Sequence, residues 1–259
     1  MTSQQKTQLY SRSKENHRLT VGYTYFEEPD RLKQQINIWK RWPANVVIFL
    51  VDDGSEIFPA KDIIDSHLHL EDWQPTFQLW KCTRNLGFNS HGCRNLIAKY
   101  AQTDIIQFLD MDMFMYEGDV ARLKKIKWES DYIAHHRAYK SFDQLVSNHP
   151  GHFNCFAIHK DLFWKAGGYD ESFTGHHYGD REFINRIYAQ EHRKVKTEII
   201  ITLDRKGKHG SVDHNVDKTV YDLGDELYFK TPLKTSEVKK LRGTVKQRLN
   251  FPFIKQKDL

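Results

Sequence analysis

The chain has 259 residues, with 39 Lys plus Arg against 34 Asp plus Glu, a net charge of +5. Its 39% hydrophobic and 13% aromatic content can bury a sizeable core, which excludes wholesale disorder. The longest uninterrupted apolar run, Val46 to Val51, is far short of the roughly 20 residues a membrane-spanning helix needs. Residues 1–18 read as a polar leader without a secretory apolar stretch. Cys82, Cys93 and Cys155 show neither pairing nor metal-ligand spacing. Both features lead us to expect a cytoplasmic protein. From Lys234 to Leu259 eight basic residues face two acids, so a local +6 leaves about −1 for the rest. A nucleic-acid binder should carry its basic footprint on the folded domain, so nucleic acid is not an expected partner.

Leu19 to Phe26 reads as a strand, and Leu32, Ile36 and Trp39 then recur at helical spacing. VVIFLV, followed by Asp52-Asp53-Gly54-Ser55, suits a strand buried on both faces and stopped by turn chemistry. Phe77 to Trp80 predicts a further strand, and Leu96, Ile97 and Tyr100 mark a helix. Asp104 to Leu109 predicts another buried strand, again ending in acids, Asp110 and Asp112. The resulting order is β-α-β-β-α-β. Tyr132–His136 and Phe153–His159 are expected strands. Phe183, Ile184, Ile187 and Tyr188 form a helical stripe, and Lys194 to Leu203 predicts a last strand. The organisation read from this is one α/β domain over residues 19–225 and a basic C-terminal appendage over 226–259. Val238, Leu241, Val245 and Leu249 give the appendage a helical stripe. It could contact an anionic membrane peripherally at its inner face, contact a partner, or pack back on the domain.

Two apolar strands ending in carboxylates are informative because open α/β sheets bind ligands along that edge. In Asp110-Met111-Asp112, two carboxylates on extended backbone can hold a hard divalent cation, Mn²⁺ or Mg²⁺, beside a ribose or phosphate. A solvated turn at the strand end is the competing reading.

Six stretches in order resemble the GT-A fold glycosyltransferases of the family-2-like type. They are LTVGYTYFE from Leu19, VDDGS from Val51, NLGFNSHGCRN from Asn85, FLDMD from Phe108, AGGYDESF from Ala166 and YGDREF from Tyr178. The resemblance implies a mixed, mostly parallel sheet flanked by helices. It also implies a hexosyltransferase-type enzyme that moves a sugar from a nucleotide-sugar donor to a hydroxyl of a glycan, lipid-linked or small acceptor, with inversion.

By this resemblance Thr24, Tyr25, Asp52 and Asp53 line the donor nucleotide. A carboxylate that can accept from a pyrimidine imide favours UDP. Asn85 belongs to the donor-binding stretch, Gly87 and Gly92 allow close backbone approach, and Arg94 reaches the diphosphate. Asp110 faces the ribose or the cation, Asp112 the cation, and His209 completes the metal shell, with His214 as its rival. Gly168, Tyr169, Asp170 and Tyr178 fall on the acceptor side, although core packing competes for the aromatic residues. Asp180 is the expected general base and Glu182 shares or replaces it; N-terminal helix capping is the alternative for both. The chain departs from the motif at Gly179, which stands where Glu is usual. Two rival functions follow. A sugar-nucleotide pyrophosphorylase would need a Gly-rich, Arg-containing loop after the first strand, and TYFEEPD stands there. A non-catalytic GT-A-like domain that binds sugar nucleotide or glycan is the other.

Overall fold

The computed structural model describes residues 19–69, 71, 73–86, 89–140, 154–174, 179–197, 199–203 and 253–259. Strand β1 (Leu19–Tyr25) leads into helix α1 (Pro29–Trp39), whose proline sits in the first turn, where a missing N–H costs no hydrogen bond. Strand β2 (Val46–Asp52) is buried at every position. Helix α2 (Ala60–His67), strand β3 (Thr76–Cys82), helix α3 (Ser90–Tyr100) and strand β4 (Ile105–Asp110) follow. Strands β3, β2, β1 and β4 lie side by side and parallel. Helix α2 is absent from the β-α-β-β-α-β expectation, and the topology shows why it must exist. Parallel neighbours β2 and β3 cannot be joined by a tight turn, and α2 provides the crossover.

The second half contains short elements. These are β5 (Met113–Phe114), α4 (Glu117–Lys125), β6 (Tyr132–His135), β7 (Arg137–Lys140), β8 (Phe156–His159), α5 (Lys160–Lys165), a 3₁₀ turn at Glu171–Phe173 and α6 (Gly179–Tyr188). Strand β8 runs antiparallel to both β4 and β6. The single strand expected over Lys194 to Leu203 is two. Strand β9 (Arg193–Lys194) extends the main sheet beside β6, and β10 (Ile200–Leu203) joins β5 and β7 in a small second sheet. Among the described residues the main sheet, with the last strand β11 (Phe253–Asp258) at one edge, has the order β11-β3-β2-β1-β4-β8-β6-β9.

The last strand, β11 (Phe253–Asp258), corrects one expectation for the appendage. It is extended and pairs antiparallel with the outer edge of β3, with Phe253 opposite Cys82. The helical stripe from Val238 to Leu249 lies outside the described residues. Packing back on the domain is therefore what the terminal residues do. Lys257 also pairs with Asp65 of α2 at 2.7 Å.

Alternating side chains send the strands' apolar residues into two cores. One face packs Tyr23, Ile48, Leu50 and Phe77 against Leu32, Ile36 and Trp39 of α1 and Ile63 and Ile64 of α2. The other packs Phe49, Val51, Ile106, Phe108 and Phe156 against Leu96 and Ile97 of α3 and Phe183, Ile184 and Ile187 of α6. Tyr100 and Tyr188, read as part of these stripes, are partly exposed at the helix ends, 42% and 38%. Buried His136 ties the two halves together. Its Nε2 lies 2.6 Å from Gln107 Oε1 on β4 and its Nδ1 3.0 Å from Thr197 Oγ1. Burial, reinforced by neighbouring His135, pushes its pKa down to about 3, so the ring is neutral.

Candidate donor and catalytic site

Register places the candidate residues. Tyr25 is opposite Asp52 across β1 and β2, and Thr24 is opposite Asp110 across β1 and β4, so three C-terminal strand ends form one rim. Adjacent Asp52 and Asp53 point to different tasks. Asp52 is fully buried, and its two oxygens accept the N–H groups of Ser55 at 2.8 Å and Ala60 at 2.9 Å. It closes the turn and starts α2, rather than facing a ligand as expected. Asp53 accepts the Asn89 N–H at 2.8 Å through Oδ2, while its buried Oδ1 has no hydrogen-bond partner among the described residues. Burial pushes Asp53 up to about 7, against the pull of the Asn89 N–H and the Cys93 thiol. Gly54 follows at φ 86°, and a Cβ there would sit 2.7 Å from the Arg84 carbonyl oxygen. Only glycine fits.

Tyr25, expected to line the nucleotide, is buried, and its hydroxyl donates to the Phe58 carbonyl at 2.6 Å. Thr24 is half-buried and Asn85 exposed. Glu27, at φ 49°, accepts the N–H groups of Glu56, Ile57 and Phe58. This loop beside the turn is thus fastened by a carboxylate that sequence reasoning passed over. No short motif signals such a long-range clamp.

At the other side of β1, Asp110 and Asp180 meet through Arg94. Arg94 is 2% exposed; its Nη2 donates to Asp110 Oδ1 at 2.6 Å and its Nη1 to Asp180 Oδ1. Burial disfavours its charge, but Asp180, Tyr169 and Asp110 outweigh that and hold the guanidinium firmly protonated. The side chain expected on the diphosphate is instead the buried link between two carboxylates. Asp110 is half-buried, and its Oδ2 accepts from Asn154 Nδ2 at 2.9 Å. Each oxygen is therefore engaged once and keeps a second lone pair. Asn154 is a residue that the sequence did not single out.

Asp112 sits half-buried on the turn after β4. Glu28 lies close enough to feel it: burial pushes Glu28 up to about 7, Arg31 opposes, and repulsion from Asp112 and Asp110 adds to the rise. Among the described residues no group of three or more His, Cys, Asp or Glu side chains forms a metal site. His209, its rival His214, Gly87 and Tyr178 lie outside the described residues.

The acceptor-side stretch is anchored from α3. Asn95 accepts the Tyr169 N–H at 2.8 Å and donates to the Tyr169 carbonyl at 2.9 Å and to Glu171 at 2.8 Å. Tyr169 is fully buried, stacked on Phe183 at 4.2 Å and lying under Arg94, so packing is its role here. Gly168 is buried beside it, and Asp170 is half-buried. Glu182 grips Arg186 through both oxygens, at 2.6 and 2.7 Å, and Arg186 in turn holds the carbonyls of Ala166 and Gly168. That makes Glu182 a strut of the acceptor-side loop, whereas Asp180 has one oxygen, Oδ2, that takes no hydrogen bond from the described residues.

Residues 21–185 match the family described as "Glycosyl transferase family 2". The chain belongs to this family. No curated protein sequence matches this family 2 chain. Solved structures are similar in fold. A mannosyltransferase from Pyrobaculum calidifontis, in complex with GDP-Man and Mn²⁺, superposes with TM-score 0.57 at 13% identity, over 76% of this chain and 60% of that one. GalNAc-T7, with UDP, GalNAc and Mn²⁺, gives 0.61 at 13% identity, over 91% and 54%. TarS of S. aureus gives 0.53 at 12%, over 73% and 36%. This family 2 chain thus spans less than two thirds of the length of each of these proteins.

Proposed function

We propose that this glycosyltransferase moves a hexose from a UDP-sugar to a hydroxyl of a glycan, lipid-linked or small acceptor, with inversion at the anomeric carbon. The observation that carries the proposal is the Asp110–Arg94–Asp180 bridge, which ties the donor edge of the sheet to a carboxylate on the acceptor-side helix. With Oδ1 fixed by Arg94, Asp180 Oδ2 removes the proton from the acceptor hydroxyl as that oxygen attacks the anomeric carbon opposite the leaving diphosphate. Glu182 keeps the loop that bears Gly168 in place. Each oxygen of Asp110 retains a second lone pair, able to accept from a ribose hydroxyl.

The Oδ1 of Asp53, without a hydrogen-bond partner among the described residues, supports the choice of base, because a uracil imide N–H is a stronger donor than the nearby Cys93 thiol. A bound Mn²⁺ or Mg²⁺ fits the residues present. Asp112, on the turn after β4, is the carboxylate that would hold it, and the repulsion it exerts on Glu28 marks excess negative charge there. Such ions are commonly held by one or two carboxylates plus substrate phosphates, and the ion's contribution is to offset charge on the leaving diphosphate. Cytoplasmic residence, with peripheral membrane contact through the basic segment, remains part of the proposal.

The test is thermal unfolding with UDP and GDP, each with and without Mn²⁺, followed by turnover of Asp180→Asn. Stabilisation by UDP that grows with Mn²⁺, together with a loss of turnover of about 10²-fold or more in the variant, supports the reading. Wild-type turnover in Asp180→Asn removes the base. A chain inert toward a broad donor and acceptor panel would favour a binding domain over an enzyme. An α-anomer from an α-linked donor, seen by NMR, would exclude inversion.

A further inference from the structure

The departure at Gly179 has a steric counterpart. Gly179 opens α6 and is buried. A Cβ added there would lie 2.7 and 2.9 Å from Cδ2 and Cε1 of His91, and nearer still to Nε2. The ring has little room to retreat: it is fully buried, with Tyr169 and Phe173 tilted against it at centroid distances of 5.6 and 6.1 Å. Residues three apart on a helix share a face, and three residues on from His91 is Arg94, which holds Asp180. Helix α3 therefore grips the first two residues of α6 side by side. His91 abuts the backbone of residue 179, and Arg94 binds the carboxylate of residue 180.

We propose that His91 is a positioning residue for Asp180. Its imidazole fills the room a side chain at 179 would need and sets the separation of α3 from the start of α6, so that His91 and Gly179 form a matched pair. The proposal rests on Asp180 being the base. A side chain at 179 must push α6 away from α3 and draw Asp180 off Arg94, because the densely packed ring cannot absorb the overlap. Asp53 follows β2 and is tied to the start of α3 through the Asn89 N–H, so when α6 is the element that moves, Asp53 keeps its place and donor binding is spared.

Four variants are compared: Gly179→Ala, His91→Ala, the two combined, and Asp180→Asn. Each is measured for kcat, donor KM, the pH profile of kcat, melting temperature and stabilisation by UDP. Gly179→Ala is expected to lose about 10²-fold in kcat with donor KM unchanged, as a misplaced reacting group does. The double variant is expected to regain roughly tenfold over Gly179→Ala, since the new methyl enters the space left by the imidazole; such non-additivity is the mark of two groups in contact. The pH profile should shift in Gly179→Ala and return in the double variant. Should Gly179→Ala fail to fold, His91→Ala alone decides: a fall in kcat with a shifted pH profile and unchanged donor KM supports the pairing, and wild-type kcat overturns it. No rescue in the double variant, with Asp180→Asn inactive, overturns the pairing alone. Wild-type turnover in Asp180→Asn overturns the base assignment, and the pairing's catalytic meaning with it.

Discussion

Replacing Arg94 with Met removes the cation that bridges Asp110 and Asp180 while keeping much of the side-chain volume. Arg94 is 2% exposed, and each of its two bonds is charge-assisted. Such bonds contribute about 1.5–3 kcal/mol each. The two carboxylates retain 27% and 19% of their side-chain surface, so water recovers part of the loss. Discounting for that access leaves a cost of about 3 kcal/mol, at the low end for breaking a buried ion pair. For a domain of this size that lowers the melting temperature by roughly 6–12 °C. Turnover should collapse alongside, because Asp180 loses its anchor. Arg94→Lys should recover part of the stability, since it keeps the charge, and little of the turnover, since one ammonium cannot reproduce the fork that reaches both partners. Differential scanning calorimetry and initial rates measure the two effects. An Arg94→Met protein with wild-type melting temperature and rate would refute the bridge and the reasoning built on it.

Asp53→Asn should trade function for stability. The folded carboxyl, at about 7, lies above its unfolded value, so the native state holds a proton that the unfolded chain has lost between about pH 4 and 7, and stability falls as pH rises through that window. At pH 8 the neutral amide should be more stable by about 2 kcal/mol or more, yet UDP should no longer raise the melting temperature; a variant no more stable than wild type contradicts the assignment. His136 titrates in the opposite sense. Its folded pKa of about 3 is below the unfolded 6.5, so the unfolded state gains the proton first and stability is lost as pH falls from about 6.5 toward 3, by on the order of 4 kcal/mol at the acid end. In His136→Gln the acid limb of a melting-temperature profile should be visibly shallower, and an unchanged slope would remove His136 as its source. Deleting residues 253–259 leaves the edge of β3 unpaired, so the truncated chain should melt lower and self-associate with concentration in light scattering; a monomer of unchanged stability would show that the strand is dispensable.

Much of the fold was legible because its signals are local. VVIFLV and IIQFL are too apolar to be half-exposed strands, and each runs into acids and turn formers, which marks the C-terminal edge of a buried parallel sheet. Helix α2 escaped notice although Ala60, Ile63 and Ile64 recur at i, i+3 and i+4, because three apolar residues in eight are a short signal; the need for it is plain once β2 and β3 are known to be parallel neighbours. The terminal strand escaped for a related reason. FIKQKD is polar on both faces, and what makes it a strand is the open edge of β3 rather than its own pattern.

The site divides the same way. Sequence placed carboxylates at two strand ends and at one helix start, since those positions follow from short motifs. It had no means of ranking neighbours. Asp52 and Asp53 are adjacent, yet point to different sides, so one fastens the backbone of the turn and the other keeps an oxygen that no described residue hydrogen-bonds. Asp180 and Glu182 are two positions apart, about 200° around a helix, so one meets Arg94 and the other Arg186. The partners of Arg94 lie 16 and 86 residues away in the chain. Residue type and local spacing therefore determined which groups this protein could use, while tertiary packing alone decided which oxygen each group has left to use, because hydrogen-bond partners distant in sequence are chosen by three-dimensional proximity.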